Sequence, residues 1–252
     1  MVSREDVLAA RETIAAAQAS LPDVLTVESA LGEELEPAAA EALDSADTVV
    51  LGPGLGREPR DTRKRFVAAV LSRRPVPTVV DADALHLLSE VNLTPGTRHL
   101  VCTPHVGEFR ALAGDALADE VANDRWSAAA RAAAKLKCTI LLKGVPTVIA
   151  DLRGPVHVVA SGNPGLATGG SGDLLAGFIG AFLARGTAPA EAATLGACAL
   201  GRAAELGARQ WTARSLRPAD VLAAIPDVWR AWRDVRPARL PVLVELESPE
   251  IA

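Results

Sequence analysis

Ser161-Gly-Asn-Pro-Gly-Leu-Ala-Thr-Gly-Gly-Ser-Gly-Asp173, continued by Leu-Leu-Ala-Gly177, is the stretch on which the reading of this chain turns. It follows an apolar run of strand length, Val156 to Val159, and leads into a segment of helical period from Ser171 to Arg185. Glycines at such a junction let the backbone take conformations closed to other residues, so successive N–H groups can gather on one point. The start of the following helix adds about half a positive charge. Together, Gly169, Gly170, Ser171 and Gly172 read as an anion hole suited to a transferring phosphoryl group. Asp173 falls in the first turn of that helix, placed to accept a proton from a hydroxyl that attacks phosphorus. Ser171 and Asp173 also read as plain helix caps; a cap, however, needs no such run of glycines.

Outward from this stretch, short runs rich in Val, Ile and Leu alternate with longer helical segments, the pattern of βαβ units around a mainly parallel sheet. Strands are expected at Val24–Val27, Thr48–Leu51, Thr78–Val80, His99–Cys102, Thr139–Lys143, Thr147–Ala150 and Val156–Val159. Helices are expected at Arg4–Ala19, Pro59–Ser72, Ala84–Ser89, Val106–Leu112 and the alanine-rich Ala118–Lys137, because alanine loses no side-chain entropy in a helix. The last third reads as helical, with Ser171–Arg185, Pro189–Gly207 and Pro218–Trp232 bounded by Gly and Pro. The fold class is therefore α/β, read as one domain over residues 1–252, since no linker divides the chain. The tail 236–252 holds Leu240, Val242, Leu243 and Val244 between prolines and reads either as an edge strand or as a docking segment.

Hydrophobic residues make up 49% and charged residues 23%, enough apolar material for a sizeable core. A formal net charge of −5 argues against nucleic acid or an anionic membrane as partner. Anionic small molecules stay open, because backbone dipoles bind them without net positive charge. Cys102, Cys138 and Cys198 are odd in number and widely spaced, with no CxxC pair, so neither a disulfide framework nor a zinc site is read. The expected setting is a reducing, cytoplasmic one. No signal-peptide core and no membrane-length apolar run is found.

Three further segments fall at expected strand ends, where open α/β sheets bind ligands. Leu51-Gly-Pro-Gly-Leu-Gly56 carries Gly52, Gly54 and Gly56, which allow close approach of a ligand to the backbone. Pro53 and Pro59 do not fit the helix-opening dinucleotide fingerprint, so NAD is not read as a redox cofactor. Thr103-Pro-His-Val-Gly-Glu108 sets His105 just before a helix, where an imidazole can donate to a substrate carbonyl or amide, and Glu108 in the first helical turn. Lys143-Gly-Val-Pro-Thr147 contains one of only four lysines, at a strand end from which its ammonium either reaches phosphates or simply snorkels to water. Asp81 and Asp83 read as magnesium contacts through water or as helix caps, with Asp83 the favoured cap and Asp81 facing the site. Trp126, Trp211, Trp229 and Trp232 read as packing or interface groups.

The segment Asn163–Asp173 resembles a pattern of the ribokinase-like superfamily, and within it of the NAD(P)H-hydrate dehydratases: Asn-Pro-Gly-Met-Ala-Thr-Gly-Gly-Thr-Gly-Asp, with Leu166 for Met and Ser171 for Thr. The three other segments follow in that family's order. The resemblance implies a ribokinase-like fold and an ADP-dependent dehydration of the S-epimer of NAD(P)H hydrate, releasing NAD(P)H, AMP and phosphate, with magnesium bridging the nucleotide phosphates. It assigns Gly54, Gly56, His105 and Asp173 to the hydrated substrate, with Asp173 also catalytic. It assigns Lys143, Gly144, Val145, Pro146, Thr147 and Gly172 to the nucleotide, Pro146 standing where a glycine is more usual. ADP and the hydrate are then the small-molecule partners, and a homo-oligomer is expected.

The resemblance runs from about Ser3 to Val235. The family's Gly-rich opening, long helix and first strand, which supplies an alanine to the substrate pocket, have no counterpart. Three readings stay open: Met1 is an internal start, the chain folds without that layer, or a partner supplies it. Reduced or absent activity is one expectation that follows, and an open sheet edge that recruits another chain is a second. The competing functions are a ribokinase-like kinase of hydroxymethylpyrimidine or hydroxyethylthiazole, whose glycine hole would look alike, and a catalytically silent nucleotide-binding protein.

Overall fold

The computed structural model describes residues 6–9, 19, 24–29, 34–73, 75–91, 99–234 and 243–246. Strand β1 (Asp6–Ala9) pairs in parallel with β2 (Leu25–Glu28) in a small sheet of their own. The main sheet has seven strands in chain order: β3 (Val49–Leu51), β4 (Thr78–Val80), β5 (Leu100–Cys102), β6 (Thr139–Leu142), β7 (Thr147–Ala150), β8 (Val156–Val159) and β9 (Leu243–Leu246). Strands β3 to β6 are parallel, and β7, β8 and β9 are added antiparallel.

Helices cover both faces. One layer comprises α1 (Pro37–Ser45), α2 (Arg60–Arg73), α3 (Asp83–Leu88), α4 (Val106–Ala113), α5 (Asp115–Glu120) and α6 (Arg125–Leu136). The other comprises α7 (Ser171–Ala184), α8 (Pro189–Trp211), α9 (Pro218–Ala223) and α10 (Ile225–Asp234). Strand side chains alternate between faces, so each strand divides its residues between two cores. Val80, Cys102, Ile140, Leu142 and Val148 join Phe66, Leu85, Phe109 and the alanines of α6. Val79, Val101, Leu141 and Ile149 join Leu175, Ile179, Leu200 and Val228. Burial on both faces explains why these strands read as continuous apolar runs.

Several expectations are corrected. Residues 6–9, expected inside a helix Arg4–Ala19, form β1, because parallel pairing with β2 overrides the helix preference of the alanines; most of that expected helix lies outside the described residues. The expected helix Ala118–Lys137 is two helices, α5 and α6, divided where Asp124 accepts from Ser127 N at 3.0 Å and caps α6. The segment Pro218–Trp232 likewise breaks at Ala224, between α9 and α10. Helix α1 went unread, although Pro37 opens it. Of the tail, residues 243–246 form the edge strand β9; the rest lies outside the described residues. Cys102 and Cys138, distant in sequence, are buried neighbours with sulfurs 3.8 Å apart. Phe182, Trp229 and Trp232 pack edge to face, at centroid distances of 5.9 and 5.1 Å.

The α7–α8 contact depends on small residues. A Cβ on Gly196 would sit 2.6 Å from Ile179 Cγ1 and 3.2 Å from its backbone nitrogen. Gly196→Ala is expected to force the helices apart and cost about 1–3 kcal/mol of stability, read by urea denaturation as a lower midpoint at unchanged slope.

Candidate active site

The C-terminal ends of β3, β4, β5 and β6 lie side by side, and the glycine turn after β8 reaches the same region. Gly52 follows β3 at φ +125°, and a Cβ there would fall 1.8 Å from the Asp81 carbonyl oxygen, so only glycine allows the two strand ends to meet. Asp81 N in turn donates to Leu51 O at 3.0 Å.

Asp81, Glu108, Lys143 and Gly172 converge here from four separate segments. Lys143 Nζ lies 2.9 Å from Asp81 Oδ1 and 3.4 Å from Glu108 Oε2. A Cβ on Gly172 would be 3.5 Å from Asp81 Oδ2 and 3.6 Å from Lys143 Nζ, which places this ion cluster directly against the glycine turn. Asp81 is only 2% exposed, and an isolated carboxylate there would be costly, so Lys143 is needed as its counter-ion. Asp81 thus faces the site as expected, and Lys143 is partnered rather than snorkelling freely.

The turn itself is stapled to α8. Asn163 Oδ1 accepts from Gly165 N, and its Nδ2 donates to Ala204 O, both at 2.9 Å. Gly162 N donates to Glu205 Oε1 at 2.9 Å. Gly201 lets Ser161 lie flat on α8, since a Cβ there would meet Ser161 Oγ at 2.4 Å. After Gly170, at φ +91°, helix α7 begins. The N–H groups of Gly169, Gly170, Gly172 and Asp173 find no acceptor among the described residues. Ser171 is 5% exposed and its hydroxyl is likewise unpartnered there. Buried polar groups are normally satisfied, so the unpartnered Ser171 hydroxyl, together with the more accessible amides around it, leaves this row of donors open to an anion. The carboxylate of Asp173 is exposed beside it.

His105 is the N-cap of α4. Its Nδ1 accepts from Gly107 N at 3.0 Å and Glu108 N at 3.2 Å, while Glu108 Oε2 accepts from His105 N at 2.8 Å, a reciprocal capping box. With Nδ1 as acceptor, the neutral ring carries its proton on Nε2, which lies 3.5 Å from Glu108 Oε1, and the side chain as a whole is 60% exposed. Asp83, expected to cap α3, does not: the N-cap is Ala82, without a side-chain bond. Asp83 instead accepts from Gly56 N at 3.0 Å and from Arg57 Nε at 2.8 Å, bracing the turn after β3. Gly54 and Gly56 face open space, since a Cβ on either would meet nothing within 4 Å.

The loop Gly144–Thr147 projects from β6, with Val145 98% exposed at its tip. Arg125 braces it from below, donating to Pro146 O at 2.8 Å, and a Cβ on Gly144 would collide with that guanidinium at 2.4 Å. Sequence reasoning missed Asn163, Glu205, Arg125, Arg57 and His86. Asn163 stood inside the quoted stretch, but its partner is 41 residues away. Burial holds the His86 imidazole below its ordinary value, and the nearby Arg57 charge pushes the same way.

Among the described residues, no three His, Cys, Asp or Glu side chains could cage a metal ion by themselves. Asp81 and Glu108 nevertheless offer hard oxygen donors beside the open amides, which fits magnesium carried on phosphates with few protein ligands. A cavity of about 600 Å³ lies elsewhere, lined by Ala113, Leu117, Arg131 and Lys135. Its cations are committed to Glu120 and to the Ala113 carbonyl, so it offers no free polar group comparable to the glycine turn.

Lys143→Met removes the counter-ion of a buried carboxylate and is expected to lower stability by about 2 kcal/mol or more. Adding Asp81→Asn in the same background should recover part of that loss, as read by urea denaturation.

A family model described as NAD(P)H-hydrate dehydratase matches residues 5–227. The bifunctional NAD(P)H-hydrate repair enzyme Nnr of Moorella thermoacetica is 40% identical over 213 residues, covering 84% of this chain and 39% of that one. The ADP-dependent (S)-NAD(P)H-hydrate dehydratase of Neisseria meningitidis serogroup B is 38% identical over 177 residues, covering 65% of this chain and 59% of that one. The chain thus spans well under two thirds of the length of these curated relatives. Among solved structures, the ADP/ATP-dependent NAD(P)H-hydrate dehydratase of Bacillus subtilis, co-crystallised with ATP/Mg2+ and soaked with CoA, superposes with a TM-score of 0.74 at 27% identity, covering 92% of this chain and 82% of that one. A ribokinase-like superfamily protein of Enterococcus faecalis superposes with a TM-score of 0.77 at 28% identity, covering 91% and 77%. The fold is ribokinase-like.

Proposed function

The chain belongs to the NAD(P)H-hydrate dehydratase family, and from that premise we propose that it dehydrates the S-epimer of NAD(P)H hydrate with ADP as phosphoryl donor, giving NAD(P)H, AMP and phosphate. The observation that carries this reading is the row of unpaired donors at Gly169, Gly170, Gly172 and Asp173, set against the Lys143–Asp81–Glu108 cluster.

Hydroxide is a poor leaving group, and phosphorylation converts it into phosphate. In this reading Asp173 accepts the proton of the substrate hydroxyl as its oxygen attacks the β-phosphorus of ADP, and the bond from phosphorus to AMP breaks. The open amides stabilise the charge on the migrating phosphoryl oxygens, and they need no reorganisation because Asn163 and Glu205 already fix the turn. The phosphorylated ring then loses a proton and expels phosphate, which restores the double bond. Residues Lys143–Thr147 and Gly172 hold the nucleotide, and Gly54, Gly56 and the Nε2–H of His105 contact the hydrate. Magnesium bound with the nucleotide would be held on this chain by Asp81 and Glu108 and would supply neutralisation of phosphate charge.

The test is recovery of NADH absorbance from the S-hydrate with magnesium and ADP, ATP or neither. Recovery that requires a nucleotide supports the reading. Phosphorylation of hydroxymethylpyrimidine or hydroxyethylthiazole with no action on the hydrate would replace it with the kinase. Asp173→Asn is expected to lower kcat by at least about 100-fold, the scale of a lost general base. Gly172→Ala should preserve the melting temperature, because its Cβ meets neighbours only at ordinary distances of 3.5 and 3.6 Å, while weakening ADP binding by filling the anion hole.

A further inference from the structure

Arg57 stands immediately after the glycine turn that follows β3, and its guanidinium is held in an unusual way. Asp83 uses one carboxylate oxygen to accept from Gly56 N at 3.0 Å and the other to accept from Arg57 Nε at 2.8 Å. The bracket fixes the arginine through its inner nitrogen only. Its two outer nitrogens bond nothing among the described residues, and the side chain is 52% exposed. Holding an arginine by Nε presents the outer pair as a planar fork, the geometry that grips a phosphate with two parallel hydrogen bonds.

Three observations set this fork toward a ligand. Gly54 and Gly56, beside it, face open space. Arg57 lies near enough to His86, one helical turn after Asp83 on α3, for its charge to join burial in disfavouring a protonated imidazole there, so Arg57 is the cation of this wall. Helix α3, which carries Asp83 and His86, packs against α4, whose start His105 caps. An exposed pair such as Arg57–Asp83 contributes little to stability, so a purely structural role explains its geometry poorly.

We propose that Arg57 is a specificity-determining residue that binds the pyrophosphate of the dinucleotide substrate, with Asp83 as its positioning residue. This rests on the function proposed above, in which the hydrate lies over Gly54 and Gly56. The nicotinamide end reaches His105 and Asp173, and the pyrophosphate is the anionic part of the same molecule that must leave the glycine turn along the Arg57 side.

The test compares wild type, Arg57→Ala and Arg57→Lys. For NADH hydrate, Arg57→Ala should raise KM about tenfold or more, while kcat and the KM for ADP stay near wild type and the melting temperature is unchanged. Arg57→Lys should recover only part, because an ammonium keeps the charge and loses the fork. With the hydrate of the reduced nicotinamide mononucleotide, which has one phosphate and no pyrophosphate, the ratio of alanine variant to wild type should shrink. Calorimetric titration with NADH hydrate in the presence of AMP, which lacks the β-phosphoryl group that ADP transfers, reads binding without turnover and should show the same tenfold loss. Equal binding by wild type and Arg57→Ala overturns the proposal, as does a rise in KM for ADP instead of the hydrate, or a fall in melting temperature alone. Wild type that neither binds nor converts the hydrate overturns the proposed function, and this inference with it.

Discussion

The lysine at the end of β6 ties the molecule together. Its ammonium lies between Asp81 from the end of β4 and Glu108 from the first turn of α4, and a Cβ on Gly172 would sit 3.6 Å from it, so it borders the glycine turn. Two carboxylates on one ammonium leave a local excess of negative charge in a partly dry place. The unpaired main-chain amides at the start of α7 lie against that excess and supply opposing partial charge. The same backbone that carries Lys143 is fixed by its N–H to Pro104 O at 2.8 Å, so the segment of His105 and the loop Gly144–Thr147 share one anchor.

The rest of the fold brings these ends together. Parallel strands align their C-termini, and their short lengths, three or four residues each, keep those ends close to the two cores. Alternation of side chains through the sheet lets one face carry α2 to α6 and the other α7 to α10, so the first layer delivers Asp83, His105 and Glu108 and the second delivers the glycine turn. Each residue of the site therefore rests on an element whose opposite side is buried.

Much of this was legible in the sequence. Thr78–Val80, Thr147–Ala150 and Val156–Val159 were read to the residue, because β-branched residues dominate these short, largely buried segments. The glycine turn was legible because its composition exceeds what a cap requires. Asp6–Ala9 was misread because Val-Leu-Ala favours either state locally and only its pairing with β2 decides. His105 was noticed for its imidazole, yet its capping box with Glu108 follows from a spacing of three that was available and unused. Arg57, Arg125 and Glu205 were illegible for a different reason: each is defined by a partner distant in sequence or by a loop geometry that composition does not reveal.

Where α7 crosses α8, and where Ser161 lies on α8, the surfaces meet through the hydrogens of Gly196 and Gly201. Between the glycine turn and the long helix behind it stand only the hydrogen-bonded side chains of Asn163 and Glu205 and the tightly held Ser161, and close packing of this kind transmits strain instead of absorbing it. The turn consequently has no low-energy way to loosen while the helix pair stays docked. On warming, its shape should persist until the two helices part, so the turn and the folded core are lost in a single cooperative step.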